Sequence, residues 1–317
     1  MDIIKTLQQE LNIRYSQAEA AVKLIDEGNT IPFIARYRKE ATGSLNDEVL
    51  RALDERLRYL RNLEEKKEQV IGTIREQGKL TEELERQIRE AATMVAVDDL
   101  YRPYRPKRRT RAMIAREKGL EPLAERIAAQ ELGRPALEEA ADFVSEERGV
   151  ADAAEALAGA MDILAEQISD NAVYRTYIRR ITTDQGQLQA AAKDAAKPSV
   201  YEMYYQYQEP VRKCAGHRVL ALNRGEAEKY LTVKVLAPEE SILKYLDKQI
   251  VTKENPFTAP VLREAAEDSY RRLIAPAIER EIRSSLTEKA ESGAIRVFGK
   301  NLEQLLMQPP IAGQTVL

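Results

Sequence analysis

The side chains best suited to chemistry in this sequence lie in one basic segment, DLYRPYRPKRRTRAMIAREKG, which covers residues 99–119. Residues 101–118 hold eight basic side chains and one acidic side chain, although the whole chain has a formal net charge of -3. Clustered cations bind phosphate groups, and the counterions that they displace add to the affinity for nucleic acid. The candidate phosphate-binding residues of the basic segment are Arg102, Arg105, Lys107, Arg108, Arg109 and Arg111.

Two prolines constrain the backbone of the basic segment. Pro103 and Pro106 lack an amide donor and fix φ, so we predict an extended, semi-rigid connector that separates the guanidinium groups. Tyr101 and Tyr104 alternate with arginines, which suits either stacking on nucleobases or packing of Arg over Tyr inside the protein. Two further interpretations remain open: the arginines pair with carboxylates of acidic helices and hold subdomains together, or they form a surface for a partner protein.

Basic and aromatic residues also occur together in two other stretches. The stretch TIPFIARYRKEATGSL at residues 30–45 joins an apolar block to Arg36, Arg38 and Lys39. We include these three cations among the candidates for nucleic-acid contact. A further basic and aromatic stretch occupies residues 171–183.

No constellation of residues predicts catalysis or metal binding. Cys214 and His217 are the only cysteine and histidine, whereas a structural zinc site usually needs four ligands of this kind. A nucleophilic pair of Cys and His would also need a third group that orients it. The carboxylates lie at the spacing of helix surfaces, and the sequence has no glycine-rich phosphate loop. We therefore expect no enzyme activity, no cofactor and no metal.

Composition is typical of a soluble and mainly helical protein. Hydrophobic residues make up 44 % of the chain and charged residues 32 %, the proportions of an ordinary globular protein. The 14 glycines and 13 prolines are few for this length, and the abundant Ala, Leu, Glu, Arg and Lys favour helices. A single cysteine excludes an intramolecular disulfide, and no apolar run approaches ~20 residues. We expect a cytoplasmic protein without membrane contact.

The elements that must position these side chains are predicted to form an all-α, multi-helix bundle. Apolar residues recur at helical spacing through residues 46–77, Gly78 ends this helix, and Thr81 caps the next one. The pair is a helix-turn-helix candidate, so we assign a helix-turn-helix-like segment to about residues 46–130. The second helix carries too many acids to suit a major groove, which favours a packing role for it.

The later part of the chain supplies the other predicted elements. A long C-terminal helix covers residues 260–307 and should kink near Pro276. At most one small β element is expected, at LTVKVL in residues 231–236, completed by an isolated hairpin or by the terminal Val-Leu. The alanine-rich tract at residues 186–198 is expected to be a linker.

Five ordered strings are spread over the whole chain: TIPFIARYRKEATGSL at 30–45, DLYRPYRPKRRTRAMIAREKGLEPLA at 99–124, CAGHRVLALNRGE at 214–226, APAIERE at 275–281 and LLMQPP at 305–310. Together they resemble the bacterial Tex family, the transcription accessory proteins. The resemblance implies a nucleic-acid-binding role in transcription and RNA processing, related to that of eukaryotic elongation factors that handle histones.

The resemblance also implies an organisation of domains. It identifies the chain as the helical N-terminal half of a longer protein, in which an RNase-H-like domain, helix-hairpin-helix elements and an OB-fold RNA-binding domain would follow. We expect a Tex-type N-terminal helical region at residues 1–195, which contains the helix-turn-helix-like segment. Residues 196–317 are then a helical connector that leads to the RNase-H-like domain.

Two functional hypotheses follow for this chain. In the first, it is a non-catalytic scaffold that binds RNA or DNA weakly, because the OB-fold domain of the family carries much of the contact. In the second, it is a protein-binding module that docks the transcription machinery, such as RNA polymerase, and uses the basic segment internally. The exposure of the basic segment separates the two hypotheses, since guanidinium groups buried against carboxylates favour the second.

Overall fold

The computed structural model describes residues 2–106 and 108–308 of the chain. The chain divides into two compact units, unit 1 at Met1–Pro106 and unit 2 at Lys107–Leu317. Helices dominate both units, and the strands of the described residues form one small sheet. The predicted all-α fold with a small β element is therefore confirmed.

Unit 1 is organised around one long helix. Its helices are α1 (Ile3–Leu11), α2 (Tyr15–Asp26), α3 (Ile31–Tyr37), α4 (Asp47–Glu76), α5 (Glu82–Glu90) and α6 (Met94–Tyr101), followed by a 3-10 turn at Arg102–Tyr104. The apolar stripe of α4 serves two cores. Leu50 and Leu57 pack with α1, α2 and α3, whereas Val70 and Ile74 pack with α5 and α6.

The ends of α4 are set by local sequence. The Asn46 side chain accepts a hydrogen bond from the Val49 amide at 2.9 Å and so caps the helix. Gly78 follows the helix with a φ of +68°, which glycine adopts without steric cost. Thr81 then caps α5 by accepting a hydrogen bond from the Leu84 amide at 3.2 Å. The predicted pair of helices joined by a glycine turn is confirmed.

The arginines of α5 are engaged within the protein. Arg86 pairs with Glu83, and Arg89 donates to Glu85 at 2.8 Å and to Glu68 of α4 at 2.6 Å. Guanidinium groups held in this way are less available to phosphate. The geometry agrees with a packing role for α5 and not with entry into a DNA groove.

Unit 2 contains a second group of helices. They are α7 (Arg111–Glu117), α8 (Glu121–Ala129), α9 (Ala136–Ala141), α10 (Ala153–Asp170), α11 (Ala172–Gln185), α12 (Gly216–Ala227), α13 (Glu239–Ile250), α14 (Ala259–Asp268) and α15 (Ala275–Leu306). Helix α10 is central to one apolar core, where Ala156 and Ala160 are fully buried. Their small side chains suit the packing of α7, α8, α9 and α14 against this one helix.

A small antiparallel sheet covers the other core of unit 2. Its strands are β1 (Gln187–Ala192), β2 (Gln206–Pro210) and β3 (Leu231–Leu236), in the order β2-β1-β3. The predicted strand is confirmed as β3, because Leu231, Val233 and Val235 are buried while the side chains between them are exposed.

The partner of β3 was not predicted from the sequence. Strand β1 pairs with β3 and lies in the alanine-rich tract, so the prediction that this tract is only a linker is wrong. Leu188 and Ala190 of β1 are buried, but small side chains give a weak alternation of hydrophobicity. The expected pairing with the terminal Val-Leu lies outside the described residues. The predicted domain boundary at residues 195 and 196 falls between β1 and β2 and stays a prediction.

The long C-terminal helix is confirmed. Helix α14 continues into α15 through a π-helical turn at Ser269–Ile274, without a loop. Pro276 lies in the first turn of α15. Proline lacks the amide that would donate to the carbonyl four residues earlier, and its ring crowds that carbonyl, so the wider π turn accommodates it. The irregularity predicted near Pro276 is this π-helical turn at Ser269–Ile274.

Gly225 of α12 lies so close to the sheet that a larger side chain has no room. A Cβ at this position would lie 2.6 Å from Cδ1 of Leu231 and 3.1 Å from Cδ1 of Tyr201. We expect Gly225→Ala to destabilise unit 2 by about 1–3 kcal/mol through overpacking, although alanine favours helices. Urea denaturation followed by far-UV circular dichroism measures this change.

Gly293→Ala is the matched control for that measurement. Gly293 also lies inside a helix of unit 2, and nothing lies within 4 Å of a Cβ added there. Its substitution should leave the midpoint of denaturation unchanged or raise it slightly. Equal midpoints for the two alanine variants would contradict the overpacking argument.

Candidate nucleic-acid interface

The basic segment has helical structure where an extended backbone was predicted. Thr93 caps α6, which passes directly into the 3-10 turn at Arg102–Tyr104 with Pro103 in the first turn. The missing amide of proline costs nothing at such a position, because the first amides of a helix have no helical partner. The prediction of an extended connector is therefore wrong for this turn. Arg105 after it is extended, with φ of -67° and ψ of 133°.

Most candidate arginines of the basic segment face solvent. Arg105 of unit 1, and Arg108 and Arg111 of unit 2, are exposed and form no ion pair with any residue that the structure describes. Arg109 is exposed and donates to Glu117 at 2.8 Å, a surface ion pair of the kind that contributes little stability. Arg102 is half-buried. Lys107 lies outside the described residues.

The end of the basic segment is engaged inside unit 2. Arg116 donates to Glu166 of α10 at 2.8 Å and to Glu121 at 3.2 Å, and the Thr110 hydroxyl donates to the same Glu166 at 2.9 Å. Lys118 donates to Glu155 of α10 at 2.5 Å. These contacts fix α7 to α10. Internal pairing thus applies to the end of the segment, while the exposed arginines before it remain available.

A second cationic surface surrounds the C-terminal end of α3. Arg36, Arg38 and Lys39 are exposed, and none of them pairs with a carboxylate of the described chain. Phe33 and Tyr37 lie beside them, with ring centroids 5.3 Å apart. We call these five residues the α3 patch. The two rings are not among the candidates for nucleic-acid contact predicted from the sequence, although their spacing of four residues within a helix predicts that they share a face.

Cys214 has an environment that opposes nucleophilic chemistry. Burial, followed by the negative charge of Glu209, raises the pKa of the Cys214 thiol to about 11, and its Sγ lies 3.6 Å from the Pro210 carbonyl oxygen. The reactive form of cysteine is the thiolate. His217 is exposed three residues later. Over residues 2–106 and 108–308, no three His, Cys, Asp or Glu side chains cluster as metal ligands would.

The raised pKa of Cys214 predicts slow alkylation of the folded protein. At pH 8 a thiol with a pKa of about 11 is roughly one thousandth ionised, because its thiolate appears only at higher pH. We expect iodoacetamide to modify the native chain roughly a hundredfold more slowly than the chain unfolded in urea. Mass spectrometry at timed intervals gives both rates for this single thiol. Equal alkylation rates for the native and the unfolded chain at pH 8 would show that the thiol is not buried and that its pKa is not raised.

The basic and aromatic stretch in α11 is used for packing. Arg175 is 1 % exposed and donates to Glu281 of α15 at 2.8 Å, and Arg179 donates to the other oxygen of Glu281 at 2.8 Å. Tyr177 stacks on Tyr245 at a centroid distance of 3.6 Å. One carboxylate thus joins two arginines of α11 to α15.

Removal of the Glu281 charge should destabilise unit 2. Glu281→Gln keeps the shape of the side chain but leaves the buried guanidinium of Arg175 without this counter-charge. A buried pair broken in this way costs about 3–5 kcal/mol, and the partial exposure of Glu281 reduces our expectation to roughly 2 kcal/mol. Urea denaturation measures the loss. Glu240→Gln, which breaks an exposed pair with Lys244, is the control and should change nothing measurable; similar effects of both substitutions would refute the claim.

The described residues thus define a helical scaffold in which both the basic segment and the α3 patch hold exposed cations without an acidic partner, and no catalytic constellation is recognisable among those residues. No helix in the part of the chain that the structure describes is both long and apolar enough to cross a bilayer.

Two protein families match this chain. The family described as Tex-like protein N-terminal domain matches residues 1–75, and the family described as Tex central region-like matches residues 133–298. The chain belongs to the Tex family, and its basic segment lies between the two matched regions.

Individual relatives agree with this assignment. The protein YdcI of Bacillus subtilis is 46 % identical over 314 residues, which cover 98 % of this chain and 44 % of YdcI. Protein tex of Bordetella pertussis is 41 % identical over 99 % of this chain and 42 % of its own length. The transcriptional accessory protein Tex of Neisseria gonorrhoeae is 38 % identical over 100 % of this chain and 42 % of its own length. The chain spans less than half the length of these curated relatives, and the predicted resemblance to the family is confirmed.

Proposed function

We propose that this chain is a non-catalytic scaffold of a nucleic-acid-binding transcription accessory and RNA-processing factor. In this proposal the basic segment contacts RNA or DNA through phosphate groups, weakly and without sequence preference. Residues 196–317, which follow the predicted domain boundary at residues 195 and 196, act as the connector to an RNase-H-like domain in this proposal. A relative that carries the name transcriptional accessory protein supports the role in transcription.

The observation that carries this proposal is the exposure of Arg105, Arg108 and Arg111 without carboxylate partners in the described residues. An arginine paired with a carboxylate has already lost part of its attraction for a phosphate. Three unpaired guanidinium groups within seven residues supply the sequence-independent contacts from which non-specific affinity is built. Helix α7, which begins at Arg111, is fixed to α10 within unit 2, because Thr110 at its start and Arg116 in its last turn both donate to Glu166.

Salt dependence tests this role of the basic segment. The chain should bind a fluorescein-labelled 20-base-pair DNA with an affinity that falls steeply between 50 and 200 mM NaCl. Replacement of Arg105, Arg108, Arg109 and Arg111 by Gln should lower the slope of log K against log salt by roughly two to three, because each lost phosphate contact removes up to ~0.9 from it. An unchanged slope would remove the basic segment from the interface.

A matched variant separates local charge from total charge. Arg51, Arg58, Arg86 and Arg224 are also exposed, but each pairs with a carboxylate of its own helix. Their replacement by Gln changes the net charge by the same amount and should leave the slope of log K against log salt nearly unaltered.

A cleavage assay tests the non-catalytic part of the proposal. RNA incubated with Mg²⁺ and the purified chain should stay intact, and specific cleavage would overturn this part.

A second candidate function is the docking of a protein of the transcription machinery, such as RNA polymerase. The last turns of α15 favour it, because Ile295, Phe298 and Leu306 are largely exposed. Exposed apolar side chains grouped in this way are typical of protein contact sites. Biolayer interferometry with purified polymerase tests this candidate, since Phe298→Asp should abolish any binding that the unchanged chain shows.

A further inference from the structure

We propose that the α3 patch is a second contact site, which binds single-stranded nucleic acid by stacking an unpaired base on Tyr37. In this arrangement Arg36, Arg38 and Lys39 hold the phosphates on either side of that base. The inference rests on the proposed function, because it takes the same class of ligand, but it concerns other residues and names the strand state. It does not depend on the basic segment.

The aromatic part of the patch is open to solvent. Tyr37 is 65 % exposed and Phe33 is 37 % exposed. The two rings are tilted by 47°, and the Arg38 guanidinium carbon lies 5.5 Å from the centre of the Phe33 ring. Phe33 is therefore engaged by its neighbours, while Tyr37 keeps most of its surface free. An open aromatic ring is what a base needs for stacking.

The cations of the patch keep their charge available. Of the other arginines that lie over aromatic rings in the described chain, two are also paired with acids, whereas Arg180 over Tyr177 is not. Arg56 lies over Tyr59 but donates to Glu10 at 2.6 Å, and Arg126 lies over Phe143 but pairs with Glu139. In the α3 patch, by contrast, the cations face solvent without an acid, and the neighbouring exposed Glu40 forms no ion pair with them. Charge of this kind attracts phosphate.

The backbone that carries these cations is held firmly. The hydroxyl group of Thr42, which is fully buried, lies 3.2 Å from the Arg38 carbonyl oxygen and 3.4 Å from that of Lys39. The Gln17 side-chain amide of α2 donates to the carbonyl oxygens of Thr42 at 3.2 Å and of Gly43 at 2.9 Å. A fixed backbone lowers the conformational entropy lost on binding, so the patch is better prepared for a ligand than a mobile loop would be.

The combination of an open ring and adjacent cations favours single strands over duplexes. Bases in a duplex are stacked on one another and offer no free face to a protein ring, whereas a single strand offers one at every nucleotide. Stacking on an aromatic ring tolerates every base, so we expect little sequence preference. Phosphate contacts alone would bind both forms. Tyr37 is therefore the residue that distinguishes single strands.

The test compares strand states and not only affinities. Anisotropy of a 12-nucleotide fluorescein-labelled RNA is measured with the full chain at 50 mM NaCl, alone and annealed to its complement. Tyr37→Ala should weaken single-strand binding roughly tenfold, since the loss of one stacked base costs about 5- to 150-fold, and should change duplex binding by less than about twofold. Tyr37→Phe keeps the ring and should stay within about twofold on both probes.

Further variants separate this inference from the proposed function. The triple variant with Arg36→Gln, Arg38→Gln and Lys39→Gln should weaken binding to both probes, because it removes phosphate contacts. If Tyr37→Ala leaves single-strand binding unchanged, or weakens both probes equally, the inference fails. The proposed function still stands in that case, provided that the variant with four substitutions in the basic segment binds more weakly. If the unchanged chain binds neither probe at 50 mM NaCl, both proposals fail together.

Discussion

Pairing between arginine and carboxylate governs what the surface of this protein can do. Glu281 joins Arg175 and Arg179 of α11 to α15, and Glu166 accepts hydrogen bonds from Arg116 and Thr110 to join α7 to α10. Each such contact orders the fold and withdraws charge from solvent. The cations left unpaired in the basic segment and in the α3 patch keep their charge available to an anionic partner, as do other unpaired surface cations such as Arg212 and Lys213.

The two cationic surfaces offer different chemistry on similar helical supports. The exposed arginines of the basic segment supply long, forked donors next to a proline-containing turn, which suits phosphate contacts that position a nucleic acid without reading it. The α3 patch adds the open ring of Tyr37 to its cations, which suits contact with a base. Outside both surfaces, burial raises the pKa of the Cys214 thiol and so moves it away from reactivity.

Sequence patterns were most reliable where large apolar side chains repeat. The leucines of α4 and the alternation of β3 predicted both elements, because a bulky side chain on the wrong face would cost a large buried area. Strand β1 was missed, since Leu188 and Ala190 give little contrast in hydrophobicity and pairing with β3 makes the strand. The turn at Arg102–Tyr104 was missed because Pro103 is compatible with both an extended chain and a first helical turn.

The sequence by itself determined the helical class, the Thr81 cap of α5, the long C-terminal helix and the concentration of charge at residues 101–118, since these depend on neighbours within a few positions. It also carried the strings that identify the Tex family. Only the tertiary structure decided which cations are free. Arg111 and Arg116 are five residues apart and chemically identical, but Glu166 of a distant helix lies beside one of them. Contacts between residues far apart in sequence set that difference, and no local pattern encodes them.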